Sequence, residues 1–164
     1  PPQRYEGRWN VSIYHTVQLV DRVQLTDGGA VLDLLNGDSL TSTGVARHSL
    51  EIDAGTFFKG IGLRMNGTWS APTRVNGSSN GTGDLRFGAL FKLNARLFVD
   101  LGQQARLTKA SDFFKGARLS LMANNLFNQR QKVTDATGAT PTAYQPYVLD
   151  PTGRLIGLEL RKMF

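Results

Sequence analysis

The sequence predicts an all-β fold: an antiparallel up-and-down meander of about six long strands, cut from the wall of a transmembrane β-barrel. Three observations carry that expectation. Apolar and polar residues alternate with period two over runs of about 10 to 18 residues, where strands of soluble proteins cluster at ~5–6. The connections between runs are long after the first, third and fifth and shorter after the second and fourth, so every long connection falls at one end of a meander. Arg64, Arg86, Lys92, Arg96 and Arg118 all take the polar parity of their runs. No apolar stretch approaches the ~20 residues of a spanning helix.

The elements follow in order. In residues 8–19, Trp9, Val11, Ile13, Val17 and Leu19 share one parity, interrupted by His15, against Arg8, Asn10, Ser12, Tyr14, Thr16 and Gln18. Successive strand side chains point to opposite faces, so this is a strand with one apolar and one polar side. Residues 47–58 repeat it, with Leu50, Ile52 and Phe58 against Arg47, Glu51 and Asp53. Lys59-Gly60 is a tight turn, and 61–70 returns with Leu63, Met65 and Trp69 against Arg64 and Asn66. The longest run, 84–101, sets Leu85, Phe87, Leu93, Leu97 and Val99 against Arg86, Lys92 and Arg96, with Leu90 and Phe98 out of phase. A short helical turn is expected within 103–114. Residues 117–126 place Leu119 and Leu121 opposite Arg118, and 154–164 place Ile156, Leu158, Leu160 and Phe164 opposite Glu159 and Arg161.

Alternation alone also describes a soluble β-sandwich. Strand length, one-sided long connections and aromatics at the strand ends favour the barrel. Trp9, Phe58, Phe113, Phe114 and Phe164 would mark one rim, and Trp69, Phe127, Tyr144 and Tyr147 the other. A basic side chain on lipid at the bilayer midplane costs ~2–4 kcal/mol. The expected lumen-facing polar set is therefore Arg64, Arg86, Arg96, Arg118, Glu159 and Arg161, with Arg47, Glu51, Asp53 and Lys92 alongside. Six strands fall short of the ~8 that close the smallest spanning barrels. With an opening at Pro1-Pro2-Gln3-Arg4, this makes the expected unit a C-terminal barrel fragment over 1–164.

The composition excludes several chemistries. The 164 residues contain no Cys, hence no disulfide scaffold, thiol nucleophile or Cys-ligated zinc site. The 19 Lys+Arg exceed the 13 Asp+Glu, but they are interleaved with acids along the strands. A nucleic-acid interface needs them gathered on one face among stacking aromatics, so no nucleic-acid partner is expected. The Gly/Asn-rich stretch 76–83 lacks the Lys-Ser/Thr and helix of a phosphate loop and reads as a surface loop. His15 and His48 read as isolated, with no metal site expected. Glu51 and Asp53 are expected to pair with Arg64 across the Lys59-Gly60 hairpin rather than act as an acid/base couple. No catalytic residues, no metal and no cofactor are expected, and the chain reads as a non-enzyme.

The string Leu119-Ser-Leu-Met-Ala-Asn-Asn-Leu-Phe-Asn128, then Val133 to Gly138, Tyr144-Gln-Pro146, Leu149-Asp-Pro-Thr-Gly-Arg154 and the terminal Phe164, resembles the C-terminal end of TonB-dependent outer-membrane receptors. The likeness is specific over 117–164 and weaker at 84–87 and 94–101. It implies the last strands of a barrel of about 22 strands in the bacterial outer membrane, working in active uptake of a scarce solute such as a siderophore, cofactor or saccharide. It also implies the partners: outer-membrane lipid and lipopolysaccharide, the rest of the barrel and its plug, the TonB complex through that plug, and the barrel-assembly machinery; the basic residues Arg74, Arg130 and Lys132 are expected to meet lipopolysaccharide phosphates through their charge. Phe164 would be the C-terminal assembly signal. No residue matches a substrate-contact motif of the family. A passive porin or structural barrel is the alternative function, and a soluble β-sandwich binding module the third.

Overall fold

The computed structural model describes residues 7–77 and 83–163. Phe164 and most of the Gly/Asn-rich loop lie outside the described residues. In chain order the strands are β1 (Arg8–Val17), β2 (Arg22–Gln24), β3 (Val31–Asp33), β4 (His48–Phe58), β5 (Ile61–Ser70), β6 (Thr73–Val75), β7 (Leu85–Phe87), β8 (Leu90–Asp100), β9 (Ala117–Asn124), β10 (Val133–Asp135) and β11 (Leu155–Lys162). Two short helices, α1 (Ala105–Ala110) and α2 (Pro146–Leu149), lie in connections. The chain is mostly β and antiparallel throughout.

The six long strands form one sheet in the order β1-β4-β5-β8-β9-β11. Each pairs with the next long strand in the sequence, a plain meander with no crossover among the described strands. The register joins the faces without a slip. Ile13 faces Ile52, Ile52 faces Gly67, Gly67 faces Leu93, Leu97 faces Leu121, and Leu121 faces Leu158. Directly opposed residues share a face, so the apolar parities of all six strands merge into one surface. Nothing among the described residues covers it: Val11, Ile13, Leu97, Leu121, Leu158 and Leu160 are all exposed. A sandwich would bury this surface against a second sheet, and no such sheet packs on it. The outer edges of β1 and β11 are likewise unpaired within the described residues.

The buried apolar residues are few: Phe87, Ala117 and Val133. Two of them belong to a second sheet of order β10-β7-β6 at the long-connection end. This corrects the expected single strand over 84–101. The hairpin of β5 and β8 keeps its register through a break, Ser70 facing Leu90 and Thr73 facing Phe87. At the break stand Pro72, which has no N–H to give the ladder, and Gly88. Lys132 accepts the Gly88 N–H at 2.8 Å, and Gln131 donates to the Gly88 carbonyl at 2.7 Å. The outer part of the hairpin therefore leaves the main sheet and joins β10.

Other ends also moved. The run 117–126 stops at Asn124, because Asn125 takes a left-handed φ of 50°. The first long connection, expected as loop throughout, contains the β2–β3 hairpin of three-residue strands. The helical turn within 103–114 is present as α1, flanked by single turns of 3-10 helix.

Phe98, out of phase in its run, is explained by Gly62 directly opposite. A Cβ at Gly62 would overlap the tip of the Phe98 ring at its Cζ, so the glycine gives the ring a floor on the polar face. Phe57 stacks on the same ring at 6.0 Å, and the Arg118 guanidinium sits 5.0 Å from its centroid. Substituting Gly62→Ala is expected to expel the ring and destabilise the sheet by about 1–3 kcal/mol, the usual cost of overpacking. A lowered urea midpoint at unchanged slope, measured on the full-length chain in micelles, checks this.

Candidate functional site

The polar face of the main sheet gathers nearly all of its charges, in rows set by the register. One row runs Asn10, Gly55, Arg64, Arg96, Met122, Gly157. The next runs Ser12, Asp53, Asn66, Asn94. A row nearer the short-turn end runs Arg8, Phe57, Gly62, Phe98, Ser120, Glu159. The small residue Gly55 leaves space between the long side chains. An open cavity of about 560 Å³ results, lined among others by Asn10, Asp53, Arg64, Asn94, Arg96 and Asn124. A neighbouring one of about 310 Å³ is lined by Arg8, Phe57, Phe98 and Arg118.

Of the expected polar set, Arg64, Arg96, Arg118, Glu159 and Arg161 all lie on this face. Arg86 does not belong to this wall. It sits in the second sheet opposite Arg74 and Thr134, because its strand parts from β8 at the Pro72/Gly88 break. Arg47 precedes β4 and reaches the Gln18 and Leu19 carbonyls.

The ion pairs differ from the expected hairpin pairing. Arg64 faces Gly55, not Glu51 or Asp53, since the tight turn sets the register one pair off. Asp53 instead accepts a hydrogen bond from Asn66 Nδ2 at 2.9 Å. Across the ladder Arg64 faces Arg96, and Arg118 faces Arg161. Like charges placed directly opposite are unfavourable, and two carboxylates offset them in part, Glu159 from the row beside Arg96 and Asp100 from directly opposite Arg118. Glu159 pairs with Arg96 at 3.5 Å and Asp100 with Arg118 at 3.6 Å. Among the described residues no carboxylate lies within ion-pairing distance of Arg64.

The long connection 125–154 is tied to the mouth of this face. Asn125 and Asn128 both take left-handed φ, a conformation that Asn tolerates better than most residues. The buried Asn125 donates through Nδ2 to the Gln129 carbonyl at 2.7 Å and accepts the Gln129 N–H at 2.9 Å. Its own N–H goes to Asn94 Oδ1 at 2.9 Å. Asn128 Oδ1 accepts from the Arg154 N–H and from Arg130, both at 3.0 Å. The Asn-Asn-Leu-Phe-Asn string is thus a side-chain-stapled turn. Tyr144, expected at the rim, packs edge-on against Phe87 at 5.8 Å. Tyr147 stays exposed, with the Arg130 guanidinium 4.4 Å from its ring centroid.

The two histidines, read as isolated, are in contact: His15 Nε2 lies 3.2 Å from His48 Nδ1. They lie 33 positions apart in the sequence, and only the β1–β4 register brings them together. Elsewhere, Trp69 faces Phe91 at the long-connection end, and Phe91 stacks on Phe127 at 6.2 Å. Trp9, Phe58 and Phe113 are exposed at the opposite end.

Comparison with protein-family models, with curated proteins and with solved structures finds no match to this chain.

One pair ties the connection to the wall: Lys92 Nζ donates to Asp150 Oδ2 at 2.8 Å. The Gly153 N–H adds a bond to Asp150 Oδ1 at 3.0 Å. Chiefly through Lys92, and then Gly153, the Asp150 carboxyl is held below its ordinary value of 3.8. A depressed carboxyl gives stabilisation that is complete above the ordinary value and lost as pH falls through the folded one. Amide protection across 145–154 is therefore expected to hold from neutrality to about pH 4 and to collapse below it. In Asp150→Asn it is expected to be low at neutral pH with no acid step. Hydrogen-exchange mass spectrometry of the full-length chain against pH measures both.

Proposed function

We propose that this chain is a wall segment of a bacterial outer-membrane β-barrel that serves active uptake of a scarce solute, such as a siderophore, cofactor or saccharide. One observation carries the membrane part of the reading. The apolar face is uncovered along all six long strands, while every Arg in those strands takes the opposite face. In water this face would far exceed the few hundred Å² of contiguous apolar surface that soluble monomers tolerate. Against lipid the same surface is stabilising, and the polar face meets a watery lumen. The dimensions agree. A strand of 10 residues such as β5 spans ~33 Å at ~3.3 Å per residue. Tilted by ~40°, it covers the ~25 Å apolar band of such barrels.

The open edges of β1 and β11 support closure by further strands, because a bare edge in lipid leaves its backbone groups unsatisfied. The uptake part rests on the resemblance of 117–164 to TonB-dependent receptors. In that reading the plug docks against the mixed charges of the polar face. The rim aromatics lie at the lipid headgroups, and lipopolysaccharide phosphates meet basic side chains of the long connections. Phe164 is the element read by the barrel-assembly machinery.

The lack of Cys makes single-cysteine labelling clean. Nitroxide labels at Leu97→Cys and Leu121→Cys of the full-length protein in bilayers are expected to be quenched by dissolved oxygen and shielded from a water-soluble nickel chelate. Labels at Arg64→Cys and Thr68→Cys should show the reverse. Equal exposure of all four to the chelate would overturn the barrel. Solute uptake that stops when a protonophore collapses the inner-membrane gradient supports the receptor, and uptake indifferent to it makes the protein a porin.

A further inference from the structure

His15 and His48 are the chain's two histidines, and both lie on the apolar face of the sheet, at the opposite edge from Lys162. In the ladder His15 faces Leu50 and Val17 faces His48, so the imidazoles are diagonal neighbours where the connection 18–47 leaves the sheet. Their rings are nearly parallel, 19° apart, with centroids at 5.4 Å. One ring nitrogen donates to the other across 3.2 Å. The neighbours on that face are Val17 and Leu50, with Trp69 opposite Leu50. The nearest charged group in the sequence, Arg47, is turned to the backbone carbonyls of Gln18 and Leu19. No ion pair among the described residues engages either histidine.

We propose that His15 and His48 form a two-imidazole site for a borderline transition-metal dication: Cu²⁺, Ni²⁺ or Zn²⁺. Imidazole nitrogens bind such ions at ~2.0–2.1 Å, so two of them at near-tetrahedral angles stand roughly 3.1–3.4 Å apart. The observed 3.2 Å separation falls in that interval. The metal sits off the line joining the two nitrogens, in place of their mutual hydrogen bond. The donating ring moves its proton to its other nitrogen, so the neutral pair binds without net proton release. Each ring swings by roughly 35–40° to aim its lone pair at an ion bound at ~2.0–2.1 Å, and the exposed His15 and half-buried His48 leave space for that movement. Water completes the coordination. Among the described residues no third metal-ligating side chain joins the pair, so binding depends on both rings together. Ca²⁺ and Mg²⁺, which need several oxygen ligands, are not held. A bound ion clasps the edge strand β1 to β4 at the base of the first long connection.

The test is a calorimetric titration of the tag-free full-length protein in micelles with Ni²⁺ and, separately, Cu²⁺. One saturable equivalent is expected that Mg²⁺ does not compete for, with Cu²⁺ bound more tightly than Ni²⁺. His15→Gln and His48→Gln should each weaken that equivalent by at least about tenfold, the scale on which even outer partners of metal ligands act. Electron paramagnetic resonance of the Cu²⁺-loaded native protein should show two imidazole nitrogens, which keeps the test intact if a variant misfolds. An equivalent unchanged in His15→Gln, no saturable binding by the native chain, or a single-imidazole spectrum overturns the site. None of these outcomes bears on the membrane reading, which the spin-label pattern tests separately.

Discussion

The register of the six-stranded sheet is the constraint on which the rest depends. Side chains alternate across a strand, so sliding one strand by a single residue would move its Leu and Ile to the polar side and its Arg to the apolar side. All five strand interfaces hold the phase that keeps leucines beside leucines, as Leu63 beside Leu97 and Leu119 beside Leu160 show. The Lys59-Gly60 turn fixes one interface locally, with Lys59 and Gly60 both at positive φ. The others are fixed at a distance by cross-strand fits such as Phe98 over Gly62.

With the faces separated, the two ends of the sheet take different work. At the short-turn end the connections cap themselves: Asp100 accepts the Gly102 N–H, and Ser111 accepts that of Phe113. At the other end the connections build a structure of their own. Proline and glycine at the 72/88 break release the outer hairpin, β10 completes it, and Phe87 and Val133 form a small core there. Asn125 and Lys92 bind this layer back to the wall through named hydrogen bonds. Among the described residues the main sheet has no second layer packed on its greasy face, whose leucines and isoleucines stay exposed.

The polar face carries an excess of guanidinium, with Arg64 opposite Arg96 and Arg118 opposite Arg161. Exposed arginines in water tolerate such neighbours through solvation and screening. In the proposed barrel the same row faces a confined, charged interior, where acidic groups or counterions would complete it. The histidine pair is separate in kind. It stands on the apolar side beside Leu50 and draws its chemistry from ring nitrogens rather than from charge.

Period two in the sequence determined the long strands and the face of almost every charged residue, because alternation is a local consequence of strand geometry, while the meander order was expected from the up-and-down layout and is the order observed. Arg64, Arg96, Arg118, Glu159 and Arg161 were assigned by parity and lie together. Arg86 has the same parity and lies elsewhere, because parity does not report which sheet a strand joins. That was decided by Lys132 and Gln131, some forty residues further along the chain, meeting the Gly88 backbone. The partners of Asp53 and Arg64 likewise required the register of the hairpin, and the meeting of His15 with His48 required the pairing of β1 with β4. Local pattern sets which way a side chain points. Which distant side chain it meets is set by register and by how the connections fold back, and these depend on contacts that only the assembled sheet creates.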